Sequence, residues 1–258
     1  MGRAKDIVVK PIAAKDAREI IRALHYSGKV VANSQLHFGV FLDGKCGGAL
    51  QFGPSLDKRK MLGLVEGTNW NEFIELNRMA LAEWLPRNGE SRAISVAMRL
   101  LRRHYPHLQW VVSFADGTQC GDGTIYRASG FVLTGIVRHH ELLRLPSGEV
   151  VHRVALNTSK GRNSSGGKYG IREWANRMGG QPLPGHQLRY IYFLDPTARE
   201  RLTVPIIPFS EIEKRGAGMY RGKPSVRSVD SDTLGPPAEK GRCNSDPDAL
   251  DIPEVTNA

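Results

Sequence analysis

An α/β fold is predicted by three observations. Stretches of period-two and of helical apolar spacing alternate along the chain instead of segregating into halves. Residues 110–131 (WVVSFADGTQCGDGTIYRASGF) run from an apolar strand through a polar loop into a short helix, and Phe131 opens a further strand, FVLTGIV. A chain of 258 residues with 40% hydrophobic content can bury a sizeable core, which favours one domain with appendages over two equal domains.

Residues 6–12 (DIVVKPI) read as a short strand. In residues 16–24, Ala17, Ile20, Ile21 and Leu24 recur at helical spacing and give one apolar face. Gly28 is a plausible terminator, with His25 at the frayed end. Two β-rich runs, LHFGVFLDG and GGALQFG, are parted by Asp43-Gly44, a good hairpin signal. A basic, Gly-bearing connection spans 57–71, and residues 72–81 (EFIELNRMAL) read as a long strand. Strict alternation puts Phe73, Glu75, Asn77 and Met79 on one side and Ile74, Leu76, Arg78 and Ala80 on the other. An Arg among buried-strand neighbours needs a partner or a ligand.

Residues 86–91 (PRNGES) break the chain before a helix over 91–104. Ile94, Ala97, Met98 and Leu101 form its apolar stripe, with Arg92, Arg99, Arg102 and Arg103 largely off it. A strand at 110–114 and a helix at 124–129 follow, and residues 131–156 read as two strands joined at Pro146-Ser147-Gly148. Beyond 157 the pattern weakens. Residues 158–168 (TSKGRNSSGGK) form a Gly/Ser/basic loop with little means of burying itself. Residues 171–178 suit a short helix, and 190–194 with 202–208 read as an added strand pair. From about 221 the sequence is Pro, Ser, Gly and charge. The predicted organisation is therefore a catalytic core over 1–157, a basic loop and C-terminal extension over 158–220 that packs on it, and a disordered tail over 221–258.

No apolar run approaches the roughly 18 residues needed to span a membrane, so no membrane partner is expected. The start, MGRAKDIVVKP, lacks the apolar stretch of a secretory signal. Cys46, Cys120 and Cys243 at unrelated spacings make neither a disulfide framework nor a zinc knuckle, as in a reduced, cytoplasmic protein. The formal net charge of +10 is unevenly distributed. Residues 221–258 hold five basic and seven acidic side chains, so residues 1–220 carry +12. Such a basic folded part suggests a polyanionic partner, most often nucleic acid, although a basic protein without such a ligand is the plainer alternative.

Tyr126 stands four residues before the pair Gly130-Phe131. This closing piece resembles the signature of the GNAT acyltransferase fold, where a tyrosine lies beside the thioester sulfur of an acyl-CoA. The order β-α-β-β-β-α-β-α-β-β is also the succession expected of that fold, and the resemblance implies a GNAT-like mixed central sheet with flanking helices. The resemblance gives Tyr126 general-acid work on the departing thiolate, and the alternative is a packed aromatic between helix and sheet. The turn before the 91–104 helix, Arg87-Asn88-Gly89-Glu90-Ser91-Arg92, corresponds to the one that cradles the coenzyme A pyrophosphate in GNAT enzymes. It departs from the usual pattern by one missing glycine and by the anionic Glu90. Ser91 as an ordinary helix cap is the competing reading. Asp116 ends a strand, where a carboxylate can orient an amine, accept its proton or bind a metal, or cap the turn through its own backbone. His25 and Tyr26 lie where GNAT folds usually bind the acyl acceptor, in the company of Ser27, Lys29, Arg78 and Asp116.

Taken together, LHYSGK, QLHFGVF, FGPSLDKRK, NEFIELNRMAL, PRNGESRAIS, SFADGTQCGDGTIYRASGF and YIYFLD resemble the Mom family of DNA-modification proteins of Mu-like bacteriophages, over about residues 5–210. The resemblance implies a GNAT-like enzyme of the host cytoplasm. It would add a methylcarbamoyl group to the exocyclic 6-amino group of adenine in double-stranded phage DNA, shielding it from restriction. His25, Tyr26, Arg78, Ser91, Asp116 and Tyr126 match the residues that matter in that family. An acyl-CoA donor, acetyl-CoA by expectation, and a bound iron are implied as well, with His25, Tyr26 and Asp116 as the iron-ligand candidates.

An adenine amino group is a poor nucleophile and is paired and stacked in a duplex, so extrusion of the base is the expected route to it. Lys58, Arg59, Lys60, Arg102 and Arg103, with Lys160, Arg162 and Lys168, are the candidates for holding phosphates. Acyl transfer alone delivers acetyl. A methylcarbamoyl group needs an extra nitrogen or a rearrangement, which is where a redox-active iron would have a purpose. An ordinary GNAT acetyltransferase of a small amine or protein lysine, and a non-catalytic DNA-binding protein on a GNAT scaffold, are the two rival readings. The oligomeric state is open, a homodimer included.

Overall fold

The structure, a computed structural model, describes residues 2–118, 121–152, 171–220 and 223–224. After a short 3-10 turn at Arg3–Asp6, the chain forms β1 (Val8–Pro11), α1 (Ala14–Leu24), β2 (Leu36–Leu42), β3 (Lys45–Gly53) and the short α2 (Lys58–Leu62). Next come β4 (Phe73–Leu81), α3 (Gly89–His104), β5 (Trp110–Asp116), α4 (Thr124–Ala128), β6 (Val132–Arg144) and β7 (Val150–His152). The last elements are α5 (Ile171–Met178), β8 (Gln181–Phe193), α6 (Ser210–Lys214) and the two-residue strands β9 (Met219–Tyr220) and β10 (Lys223–Pro224). The loop 158–168 and, apart from β10, the tail 221–258 lie outside the described residues, so the disorder expected of that tail does too.

Eight strands make one sheet in the order β1-β2-β3-β4-β5-β8-β6-β7. All neighbours are antiparallel except β4 and β5, and α3 supplies the crossover that a parallel pair needs. The Asp43-Gly44 turn has φ of 52° and 81° at its two residues, the left-handed pair that matches the twist of a tight hairpin.

The expected strand pair between 190–194 and 202–208 does not form. Residues 190–193 close β8, which is inserted between β5 and β6 and pairs with both, while Leu202 makes only an isolated bridge to Val65. Residues 181–193 thus complete the sheet from within. The physical reason is burial: Leu188, Tyr190 and Ile191 are fully buried, and an edge position would leave one side of their strand in water.

Two faces cover the sheet. On one, α3 and α4 pack over Leu50, Phe52, Leu76, Val111, Ala115, Leu133, Leu188 and Tyr190, with Ala93, Ile94, Ala97, Met98 and Leu101 as the stripe from α3. On the other, Ala17, Ile20 and Ile21 of α1 pack on Ala49 and Ala80. Farther along that face, Met61, Leu64 and Val65 cover Phe73, Trp110, Val112 and Ile191. Phe73 and Trp110 stack at 4.3 Å and 6°, and the indole N–H donates to Thr68 Oγ1 at 3.1 Å. A ring pair of this kind contributes about 0.5–1.5 kcal/mol beyond its burial.

Candidate active site

The site begins with an irregularity in β4. Leu76 pairs with Phe52 and Arg78 with Gln51, so Asn77 is an extra residue on β4. Strict alternation would put Arg78 with Ile74 and Leu76. The bulge instead turns Arg78 and Ala80 to the face that carries Phe73 and Glu75, because one inserted residue exchanges the faces of everything after it. Asn77 is held by Ser34, whose Oγ donates to its Oδ1 at 3.1 Å, and its Nδ2 reaches the Pro54 carbonyl at 3.5 Å.

Strands β4 and β5 are paired only from Phe73↔Trp110 to Glu75↔Val112. Beyond that point they part, with Ser113 Oγ donating to the Leu76 carbonyl at 3.2 Å. Arg78 on β4 and Asp116 on β5 stand on either side of the parting. Strand alternation puts Asp116 with Trp110 and Val112, on the face that carries Glu75 and Arg78.

α1 ends over this region. His25 caps the helix and accepts the Ser27 N–H at Nδ1 (3.2 Å), with Ser27 Oγ at 2.9 Å from the same nitrogen. Tyr26 packs against it with ring centroids 4.3 Å apart and the planes tilted by 31°, and is 53% exposed. Arg78 donates from Nε to the Lys29 carbonyl at 3.3 Å and from Nη1 to its neighbour Asn77 at 2.7 Å. Burial first, then the charge of Arg78, lower the His25 pKa to about 4, so the ring is neutral at cellular pH. Burial also raises the Glu75 carboxyl, against the pull of hydrogen bonds from Ser55 and Asn77 and the charge of Arg78. A row of side chains continues sideways from Arg78 to its register partner Gln51 and on to His37, whose Nδ1 lies 3.2 Å from Gln51 Nε2.

The opposite face carries the other group. Tyr126 of α4 is 8% exposed, with ring centroids 5.4 Å from Phe131 and 5.2 Å from Tyr190. Tyr190 donates its phenol to the Asp122 carbonyl, and Asp122 Oδ1 in turn accepts the Thr124 N–H at the start of α4. Gly123 has a φ of +81°, and a Cβ there would meet the Tyr190 ring at 2.5 Å, so both conformation and space demand glycine. Ser129 Oγ lies 3.3 Å from the Ser91 carbonyl, tying α4 to the first turn of α3.

That turn begins one residue after Asn88, which is left-handed (φ 66°) and makes no side-chain cap, so no capping side chain competes for the first N–H groups of α3. Ser91 is not the cap. It is the third residue of the helix, and its hydroxyl donates back to the Asn88 carbonyl at 3.2 Å. Gly89 is buried, with room for a Cβ only 3.2 Å from Ile7. Arg87 is exposed. Arg92 donates to the Lys5 carbonyl at 3.4 Å, which ties α3 to the N-terminal turn.

The pattern of the Mom protein family matches residues 6–211. The chain belongs to the Mom family. It is 39% identical over 204 residues to the methylcarbamoylase Mom of Escherichia phage Mu, covering 79% of this chain and 82% of that protein. Among solved structures, it is similar to the spermidine/spermine N-acetyltransferase SpeG of Vibrio cholerae, crystallised with manganese ions. Identity there is 10% and the TM-score 0.43, covering 76% of this chain and 98% of that one. A GNAT family acetyltransferase of Elizabethkingia anophelis with acetyl-CoA bound has 12% identity and a TM-score of 0.39, covering 73% and 98%.

Of the six residues singled out from the sequence motifs, His25, Tyr26, Arg78 and Asp116 belong to the α1 face. Ser91 and Tyr126 belong to the α3–α4 face, and the parting of β4 and β5 lies between the two groups. Asp116 does the local work of a turn as well, since its Oδ1 accepts the Thr118 N–H at 2.8 Å. The iron candidates make a poor shell. Among the described residues no group of three or more His, Cys, Asp or Glu stands together as metal ligands. The charged neighbour of His25 is a guanidinium, which repels a cation, and Asp116 turns one oxygen to its own loop. These residues do not fit an iron centre.

Sequence reasoning missed Glu75 and Gln51. Glu75 was legible only as one member of an alternating strand, and nothing local announces that its half-buried carboxyl lies in the electrostatic reach of Arg78. The phosphate candidates divide. Arg59, Lys60 and Arg103 are exposed. Lys58 sits over the rings of Trp70 (4.7 Å) and Phe73 (5.5 Å), and Arg102 donates to the Leu194 carbonyl at 2.8 Å. Lys160, Arg162 and Lys168 lie outside the described residues. No helix among the described residues is long and apolar enough to cross a membrane.

Proposed function

We propose that this Mom-family chain is a transferase of the host cytoplasm that adds a methylcarbamoyl group to the 6-amino group of adenine in phage DNA and so protects that DNA from restriction. The observation that carries this reading is the family match over residues 6–211 together with 39% identity to the phage Mu methylcarbamoylase. The charge of the folded part suits a DNA substrate.

The target adenine is extruded from the duplex and enters from the α1 face. There the neutral His25 imidazole and the half-exposed Tyr26 ring receive it. Arg78 orients the base by donating hydrogen bonds to its acceptor nitrogens. A 6-amino group becomes nucleophilic only as it loses a proton, and Asp116 or Glu75 accepts that proton at a carboxylate oxygen. Glu75 suits the task because burial raises its affinity for a proton. Tyr126 holds a proton at its phenolic oxygen on the other face, where a leaving thiolate would be protonated.

An acyl-CoA donor would supply a carbonyl carbon activated as a thioester, with the coenzyme A thiol as leaving group. Because that transfer by itself yields acetyl, the nitrogen of the methylcarbamoyl group would come from a second, nitrogen-bearing reactant. The coenzyme A pyrophosphate would be held by the first turn of α3, from Gly89 and Ser91, with Arg87 beside it. The fit is partial: Glu90 is anionic and Arg92 is engaged with Lys5.

Nucleoside mass spectrometry of DNA from cells expressing the chain tests the proposal. The expected result is an adenosine heavier by one methylcarbamoyl group. An acetylated protein or amine with unmodified DNA would establish the ordinary acetyltransferase instead.

A further inference from the structure

The loop that leaves β3 carries Leu56 at 90% exposure, beside Ser55 at 7%. Single exposed leucines are common on protein surfaces and ordinarily mean nothing. The anchoring of this one is unusual. On its N-terminal side, the Pro54 carbonyl accepts from Asn77 Nδ2 at 3.5 Å, and Ser55 hydrogen-bonds the half-buried carboxylate of Glu75. Gly53 at the base is packed so closely that a Cβ would meet Asn77 Oδ1 at 2.7 Å. On its C-terminal side, Asp57 Oδ1 accepts the Lys60 N–H at 3.2 Å to start α2, and Met61 is buried in the core. Lys58 is fixed over Trp70, itself 49% exposed. The apex is therefore held at both ends, while its side chain finds no apolar cover.

Leu56 is also flanked by the residues a duplex would meet. Arg59 and Lys60 are exposed, and Glu75 and Arg78 lie at the foot of the same loop. An adenine drawn out of a duplex leaves a gap in the stack. Proteins that unstack DNA commonly fill such a gap with a Leu, Ile, Met or Phe wedge while basic side chains hold the backbone.

We propose that Leu56 is this wedge: it enters the base stack at the position vacated by the target adenine, with Arg59 and Lys60 on the adjoining phosphates. The inference rests on the DNA-modifying function proposed above, and it adds the element that opens the duplex. The role is one of positioning, since Leu56 does not touch the reacting nitrogen.

The test uses the full chain and duplexes in which 2-aminopurine replaces adenine in every nearest-neighbour context. The fluorescence of this base rises when it is unstacked. Wild type and Leu56→Phe should raise the fluorescence in at least one context. Leu56→Ala should lose most of that rise at an equal bound fraction and lower modified adenosine in cells by about tenfold or more. The variant should melt as wild type does, because an exposed side chain contributes little to the core. An undiminished rise with Leu56→Ala, or no rise in any context with wild type, overturns the wedge. Modified adenosine at the wild-type level in cells carrying Leu56→Ala overturns it too, while leaving the functional reading standing. A fluorescence rise that depends on Leu56 without any modified adenosine from wild type supports the wedge and removes the functional reading.

Discussion

Arg78 keeps its guanidinium close enough to His25 to help hold that imidazole neutral. The two residues come from the end of α1 and the bulged part of β4, and burial with the positive charge lowers His25 to about 4. A neutral ring can accept or donate a hydrogen bond to a base without competing for charge. His25 should therefore titrate near 4 in an NMR pH series, and Arg78→Gln should raise the midpoint. The sign for stability follows from linkage. Between about 4 and the unfolded value of 6.5, the unfolded chain binds more protons at this site, so stability falls as pH drops through that window. His25→Gln should remove this part of the slope in melting curves. An unchanged slope would mean that His25 is solvated in the folded protein.

Tyr126→Phe should abolish nearly all modification and alter stability by only about 1 kcal/mol, because one hydroxyl is lost and the ring remains against Phe131 and Tyr190. Nucleoside mass spectrometry beside a melting curve separates the two effects. Full activity would leave Tyr126 as a packing residue.

Glu75→Gln separates chemistry from stability in the opposite sense. A carboxyl whose folded pKa is raised costs stability once the unfolded chain ionises, so the cost appears as pH rises through 4.5 and is complete above the folded value. The variant should accordingly be as stable as wild type at pH 4 and more stable at pH 8, with modification reduced if Glu75 accepts the amine proton. Lower stability at pH 8 would show that the ionised carboxylate is needed by Ser55 and Asn77.

DNA affinity should fall steeply with salt, by about 0.9 in log affinity per log salt for each phosphate neutralised. Arg59→Ala and Lys60→Ala should each reduce that slope by about one phosphate. Arg102→Ala should leave the slope nearly unchanged and lower the melting temperature, because its guanidinium serves the Leu194 and Phe193 carbonyls at the end of β8. A flat salt dependence for wild type would reject the α2 surface as a DNA contact.

Apolar spacing and turn residues determined several of the main elements here. The helical repeat of Ala17, Ile20 and Ile21, the stripe from Ile94 to Leu101 and the Asp43-Gly44 turn all appear in the structure as the sequence predicts them. The several long motifs likewise carried the family. Tertiary structure alone decided three things. It placed β8 between β5 and β6, it put Arg78 on the face of Glu75 through the bulge at Asn77, and it drew the Glu75 carboxyl partly out of water beside Ser55 and Asn77. The reason is physical. Periodicity reports which side chains must leave water, a property of neighbouring residues. Strand partner, register and the local dielectric are set by segments far apart in the chain, and a one-residue slip in register exchanges faces without altering the composition that a sequence displays.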